Sequence, residues 1–205
     1  MKFKFHGIEL EGFDHEYNDT KLNERRVEIP IAELFLAGVG ARAGETGEAP
    51  AVLEVGNVLS HYGLAEPIAG GTYRIVDLFE VAEGVENVDL FDIEGEYDAI
   101  VSISTIEHVG WEGQPEDLDP GAAIAALEHL RGLLAPGGQL LVTVPTGYHL
   151  PLDEVLLSGE SGAARECTLV RTKRAGGWTQ TDELEQRPYA DPTPWAHSVW
   201  VGEFE

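Results

Sequence analysis

Four times in the first half of the chain an apolar run ends in acids or small polar residues. The first run stops at Glu54-Val55-Gly56-Asn57, the second at Asp77 and the third at Asp92, with Ile93 beside it. The fourth runs into Ser102-Ile103-Ser104-Thr105-Ile106-Glu107-His108. A lone acid after a strand is usually a helix cap or a solvated loop residue. Four in order on one rim point instead to a ligand site. His108 is the first candidate for a proton acceptor, because imidazole titrates near neutral pH; the competing reading is a histidine that only bonds its loop or touches a ligand. Glu107 can orient His108, touch a ligand or bind a cation. His149, after a fifth apolar run, can face the same pocket. Arg25, within Asn23-Glu24-Arg25-Arg26, can grip a carboxylate or phosphate by a bidentate fork or simply pair with neighbouring acids. Trp111 opens a polar loop (109–120) and either covers a ligand or packs the loop down.

Several chemistries lack their residues. No histidines and acids show a closed metal-ligand spacing, so no metal is expected. There is no G-x-S-x-G elbow for an acyl-transfer serine. A nicotinamide site needs G-x-G-x-x-G between strand and helix, and the first loop offers only Gly56. Cys167 is the sole cysteine, which excludes an internal disulfide and a cysteine-held metal and reads as a buried, inert thiol.

The elements that must position these residues alternate. Ala51–Asn57, Thr72–Leu78, Asn87–Asp92, Tyr97–Thr105 and Gln139–Pro145 are apolar runs of strand length. Pro120–Leu134 carries Ile124, Leu127, Leu130 and Leu134 at helical spacing, with Asp119 as N-cap and Pro120 in the first turn. Cys167–Thr172 and His197–Phe204 alternate, as half-exposed antiparallel strands do. Pro30–Ala37 predicts a short helix, and the Gly/Ala-rich stretch Gly38–Pro50 a linker loop. Continuous apolar strands with intervening helices predict a mostly parallel sheet covered on both faces. Ligands in such sheets sit beyond the carboxyl ends of the strands, where strand order reverses.

The chain carries 37 acidic and 13 basic side chains, a formal net charge of -24. Such a surface repels nucleic-acid phosphate and anionic lipid. The acids are spread along the whole chain, which favours adaptation to high salt over a local acidic partner face. No stretch reaches the ~18 apolar residues of a membrane span, and residues 1–5 lack a signal-peptide core. A cytoplasmic protein is expected, with neither nucleic acid nor membrane as partner.

The segments VLEVGN, IVDL, NVDLFD, YDAIVSISTIEHV and LLAPGGQLLVTVP, in this order, resemble the successive motifs of class I S-adenosylmethionine-dependent methyltransferases, in particular the small-molecule, methyltransferase-11-like branch. The resemblance covers about 51–145; the trailing HSVWVGEF is similar to that family's final hairpin. It implies that Glu54 and Gly56 lie along the cofactor's methionine portion, with glycine needed where a Cβ would block backbone approach, and that in a re-shaped loop Asn57, Ser60 or His61 would lend the cofactor polar contacts. Asp77 is implied to hold the ribose hydroxyls, since a carboxylate accepts two hydrogen bonds at once. Asp92 and Ile93 match the adenine contact, and Ser102 and Ser104 the strand end beside the transferable methyl. One departure stands out: Val58 and Ser60 occupy places where the family's E-x-G-x-G-x-G pattern has glycines. The segment 56–72 is also short and contains Pro67, so a truncated first helix is expected.

These readings combine into one domain, residues 1–205. An N-terminal cap or substrate segment and linker (1–50) precedes a sheet core (51–205). The expected fold is a Rossmann-like methyltransferase fold, with a mostly parallel seven-stranded sheet, helices on both faces and a C-terminal antiparallel hairpin. The implied cofactor is S-adenosylmethionine and the implied activity methyl transfer to oxygen or nitrogen of a small molecule. There Glu107 and His108 would be the catalytic pair, and Arg25, Trp111 and His149 would contact the acceptor. Two alternatives stay open: a catalytically inactive binding or scaffold relative, and another nucleotide-binding α/β enzyme.

Overall fold

The computed structural model describes residues 1–111, 118–172, 177–191 and 193–205. The chain opens with a hairpin of β1 (Lys2–Phe5) and β2 (Ile8–Glu11). Phe3 and Phe5 alternate inward and are buried. A single 3-10 turn (Glu16–Asn18) leads to α1 (Arg25–Thr46). This helix is longer than the sequence predicts at both ends. Pro30, expected to start it, lies inside it. A proline there has no N–H for the carbonyl four residues back; that carbonyl, on Arg26, accepts instead from Phe13 N at 3.0 Å. The expected linker 38–50 is helical through Thr46, because burying Leu36, Val39 and Ala43 offsets the poor propensity of its glycines. Gly47, in the left-handed conformation, ends the helix by donating to Ala43 O at 2.8 Å.

The main sheet comprises β3 (Ala51–Val55), β4 (Thr72–Val76), β5 (Val85–Glu86), β6 (Tyr97–Ile103), β7 (Leu134–Pro145), β8 (Arg165–Arg171), β9 (Trp178–Thr181) and β10 (Ser198–Phe204). Their order is β5-β4-β3-β6-β7-β10-β8-β9. The first five run parallel; β10 is antiparallel to β7 and β8, and β9 to β8. This is the expected mostly parallel, Rossmann-like sheet with an antiparallel C-terminal end, with eight strands among the described residues where seven are expected. The additional strand, β9, is a four-residue edge strand; it is anchored by buried Trp178, over whose ring the Arg171 guanidinium lies at 4.7 Å. The third strand is displaced as well. Pairing stops at Glu86, and the expected strand end becomes a 3-10 turn (Leu90–Asp92) because the Asp89 carboxylate caps it by accepting from Phe91 N at 2.9 Å.

Two cores flank the sheet. On one face α1 and the hairpin pack with Val52, Val101 and Leu141; on the other α2 (Ala122–Gly132) and α3 (Leu150–Leu156) cover Leu53, Ile100 and Leu140. Asp119 contributes to the start of α2 by accepting from Gly121 N at 2.9 Å. The first crossover is as short as expected, a single 3-10 turn at Leu59–Tyr62, and α1 packs against it. Among the described residues no helix is long and apolar enough to cross a membrane.

Candidate functional site

Strand order reverses between β3 and β6, and a cleft of about 760 Å³ opens beyond the carboxyl ends there. Of the residues singled out from sequence, Gly56, Asn57, Asp77, Ser104, His108, Trp111 and Arg25 line it. Glu54, Asp92, Ile93, Ser102, Glu107 and His149 are not in the lining.

The wall after β3 is held from within. Glu54 is buried, and its Oε1 accepts from Val58 N (2.8 Å) and Leu59 N (2.6 Å) while Oε2 accepts from Tyr73 Oη (2.9 Å). Its carboxylate thus replaces the missing helix turn as the partner of the loop's free N–H groups. Gly56 adopts φ +87°, and a Cβ there would lie 2.1 Å from Thr105 Oγ1, so the approach of the β6 loop demands glycine. Asn57 donates from Nδ2 to Glu80 Oε1 at 2.8 Å and accepts from Ser60 Oγ.

Asp77 ends β4. Its Oδ1 accepts from Phe79 N (2.9 Å) and Glu80 N (2.8 Å), and among the described residues its Oδ2 makes only a long 3.3 Å contact with Asn57 N. Oδ2 therefore keeps acceptor capacity toward the cleft. Beside it Leu78, Phe79, Val88, Leu90 and Phe91 form an apolar shelf. Leu78, Phe79 and Phe91 are exposed, uncommon for such large side chains in so charged a protein. Asp92 is exposed and Ile93 is buried in the core, because the 3-10 turn rotates the chain: Asp89 through Phe91 reach the cleft in their place.

The wall after β6 rests on a buried ionic cluster. Ser102 lies within the strand, fully buried. Ser104, at φ +42°, donates its hydroxyl to Glu28 Oε1 at 2.6 Å, and Thr143 Oγ1 donates to the same oxygen at 2.7 Å. Glu28 Oε2 takes Arg25 NH1 at 2.5 Å. Burial works against the Arg25 charge, but Glu28 and then Glu24 outweigh it and hold the guanidinium above its ordinary pKa. Glu107 is fully buried and neither of its oxygens has a hydrogen-bond partner among the described residues. Burial, reinforced by the Glu28 charge, pushes its carboxyl well above the usual range.

His108 is 58% exposed, with Nε2 at 3.8 Å from Glu107 Oε1 and Nδ1 at 3.3 Å from Tyr148 Oη. Partial burial, then Arg25 and His149, lower its pKa and favour the neutral imidazole. His149 is buried as the N-cap of α3, its Nδ1 accepting from Leu152 N at 3.0 Å. Its place after β7 is as expected, but capping turns the ring into the core.

Tyr17, Glu28, Glu80 and Asp89 belong to the site or its support and were not singled out from sequence. Tyr17 lies parallel to His61 at 4.1 Å, and His61 Nε2 contacts Glu80 Oε1 at 3.0 Å, so the N-terminal segment joins the cleft wall. Asp89 had a legible signal, an Asx residue directly before the apolar pair Leu90-Phe91. Glu28 had only its i,i+3 spacing from Arg25, since the hydroxyls it accepts from lie 76 and 115 residues away.

No protein-family model matches the chain, and no curated protein sequence matches it. Among solved structures it is similar to the N-methyltransferase NodS from Bradyrhizobium japonicum in complex with S-adenosylhomocysteine (14% identity, 92% of this chain and 94% of that one, TM-score 0.45). It is also similar to the Burkholderia thailandensis 1,6-didemethyltoxoflavin-N1-methyltransferase (16% identity, 80% and 75%, TM-score 0.44). A third is the magnesium protoporphyrin IX methyltransferase from Synechocystis with bound S-adenosylhomocysteine (15% identity, 91% and 89%, TM-score 0.42). Likeness at this level carries no argument about the site; the fold rests on the sheet order and the site on its own residues.

Proposed function

We propose that this chain is an S-adenosylmethionine-dependent methyltransferase acting on oxygen or nitrogen of a small molecule. The observation that carries the reading is the pairing of Asp77 Oδ2, open to the cleft, with an apolar shelf beside it, at the point where strand order reverses. These residues fit an adenosyl group: a carboxylate for a ribose hydroxyl and apolar surface for a flat base. Gly56 and Asn57 would border its methionine portion, and Arg25, the one cationic side chain of the lining apart from histidine among the described residues, would serve a ligand carboxylate through the N–H groups that Glu28 leaves free.

When bound, the cofactor supplies an activated methyl group for in-line displacement. The chain supplies position, desolvation and a base. Leu78, Val88 and Phe91 line one side of the cleft and would shield a bound ligand from water there. The His108 imidazole, whose neutral form partial burial favours, is placed to accept the acceptor's proton, and burial of Glu107 beside it favours that carboxyl's neutral form. The net charge of -24 goes with a high-salt setting, and we read the protein as cytoplasmic.

A second reading, a binding protein without activity, is favoured by one observation: Glu54 takes the N–H groups of Val58 and Leu59, which leaves the loop fewer donors for a ligand. Titration calorimetry with S-adenosylmethionine and S-adenosylhomocysteine in molar salt separates these readings. Micromolar binding, lost in Asp77→Ala, is the expected result. Folded protein that binds neither compound overturns the methyltransferase reading. Binding with no methyl transfer to any metabolite leaves the inactive relative.

A further inference from the structure

One end of the cleft is built from rings and carboxylates. His108 and Trp111 line it after β6. Tyr148, after β7, packs against both, with ring centroids 5.0 Å from His108 and 4.6 Å from Trp111; Tyr189 closes the group at 5.1 Å from Tyr148. Asp119 stands on the same wall, its carboxylate oriented by Gly121 N at 2.9 Å.

The charge balance of the cleft is equally one-sided. Arg25 brings one positive charge, but Glu28 Oε2 sits 2.5 Å from it and the cofactor's carboxylate would take its remaining N–H groups, so it offers little to an anionic acceptor. The carboxylates of Asp77, Glu80, Asp89 and Asp119 remain on the lining. Their field concentrates cations and disfavours anions. Faces of clustered aromatic rings add attraction for an ammonium group.

We propose that the methyl acceptor is a small organic amine, which enters as its ammonium form and is held between the His108 and Trp111 rings, backed by Tyr148, and the Asp119 carboxylate. This deepens the methyltransferase reading and rests on it. In the transfer the amine nitrogen gives one proton to the His108 imidazole. Its freed electron pair then forms the new N–C bond, while the pair of the broken S–C bond stays on the donor sulfur. Carboxylate- and phosphate-bearing acceptors are disfavoured by the lining. Alcohols, far weaker acids than an ammonium, ask more of an exposed imidazole than it supplies.

The test uses the full chain. A panel of aromatic and aliphatic amines, each matched by its alcohol and its carboxylate, is titrated calorimetrically with S-adenosylhomocysteine present and absent. The same panel is offered with methyl-labelled S-adenosylmethionine. The expected binders and methyl acceptors are amines. Their affinity falls about tenfold or more in Asp119→Asn, which keeps an acceptor for Gly121 N, and in Trp111→Leu, and it falls with added salt. S-adenosylhomocysteine affinity should stay within about twofold in both variants, which shows that they fold. Binding confined to alcohols or carboxylates, or no amine bound at all, overturns the proposal. Amines bound without any affinity for the cofactor would uphold the amine site and overturn the methyltransferase reading instead.

Discussion

The carboxylate of Glu28 and the hydroxyl of Ser104 meet at 2.6 Å although 76 residues separate them. With Thr143 on the same oxygen and Arg25 on the other, this contact ties α1 to the carboxyl ends of β6 and β7 and sets the guanidinium on the cleft wall.

Glu28→Gln keeps the shape and an acceptor for both hydroxyls but removes the charge facing Arg25. Breaking a buried pair on one side leaves an uncompensated cation and costs about 3 kcal/mol. Denaturant titration should show that loss, and cofactor affinity should fall with it.

Gly56 and Gly38 make opposite predictions. At Gly56 an alanine would place its Cβ 2.1 Å from Thr105 Oγ1 at φ +87°, so Gly56→Ala should destabilise by roughly 2–3 kcal/mol and weaken cofactor binding. At Gly38, inside α1, a Cβ would meet nothing, so Gly38→Ala should stabilise by about 0.5–1 kcal/mol. Thermal melts of the two variants, run side by side, check both signs.

Asp153 carries a pH signature. Burial raises its carboxyl from 3.8 to about 6, against the opposing hydrogen bonds from Gly147 N and Gln186 Nε2. The folded state therefore holds the proton more tightly than the unfolded chain. This contribution to stability is complete below pH 3.8 and is lost as pH rises through about 6. Relative to Asp153→Asn, the native protein should lose roughly 2–3 kcal/mol across that window. Parallel stability curves for the two proteins would contradict the assignment.

Glu107 should behave in the same direction. Its carboxyl, raised from 4.5 chiefly by burial, stays protonated in the fold where the unfolded chain ionises. Stability should therefore fall, relative to Glu107→Gln, as pH climbs above 4.5. Urea midpoints measured from acid to mildly alkaline pH read this difference directly.

Much of this protein is determined by local pattern. The apolar runs at 51–55, 72–76, 97–103 and 139–145 form the parallel strands because hydrophobic continuity marks a strand buried on both faces. Gly56 and Asp77 reach the rim because a strand's end is fixed by where its apolar run stops. The short first crossover follows from chain length and Pro67 alone.

Tertiary structure decided the rest. Residues 38–46 are helical although their composition reads as a loop, because Val39 and Ala43 gain a core to bury against. Asp92 yields its expected place to Asp89 because a side-chain cap bends the backbone into a 3-10 turn, a competition between local hydrogen bonds and strand pairing that no periodicity records. The Arg25–Glu28–Ser104–Thr143 cluster and the ring group around Tyr148 join residues tens of positions or more apart in the chain. Electrostatic neutralisation and ring packing act through space at a few ångströms, so the character of the ring-lined end of the cleft emerges only once the sheet has brought those segments together.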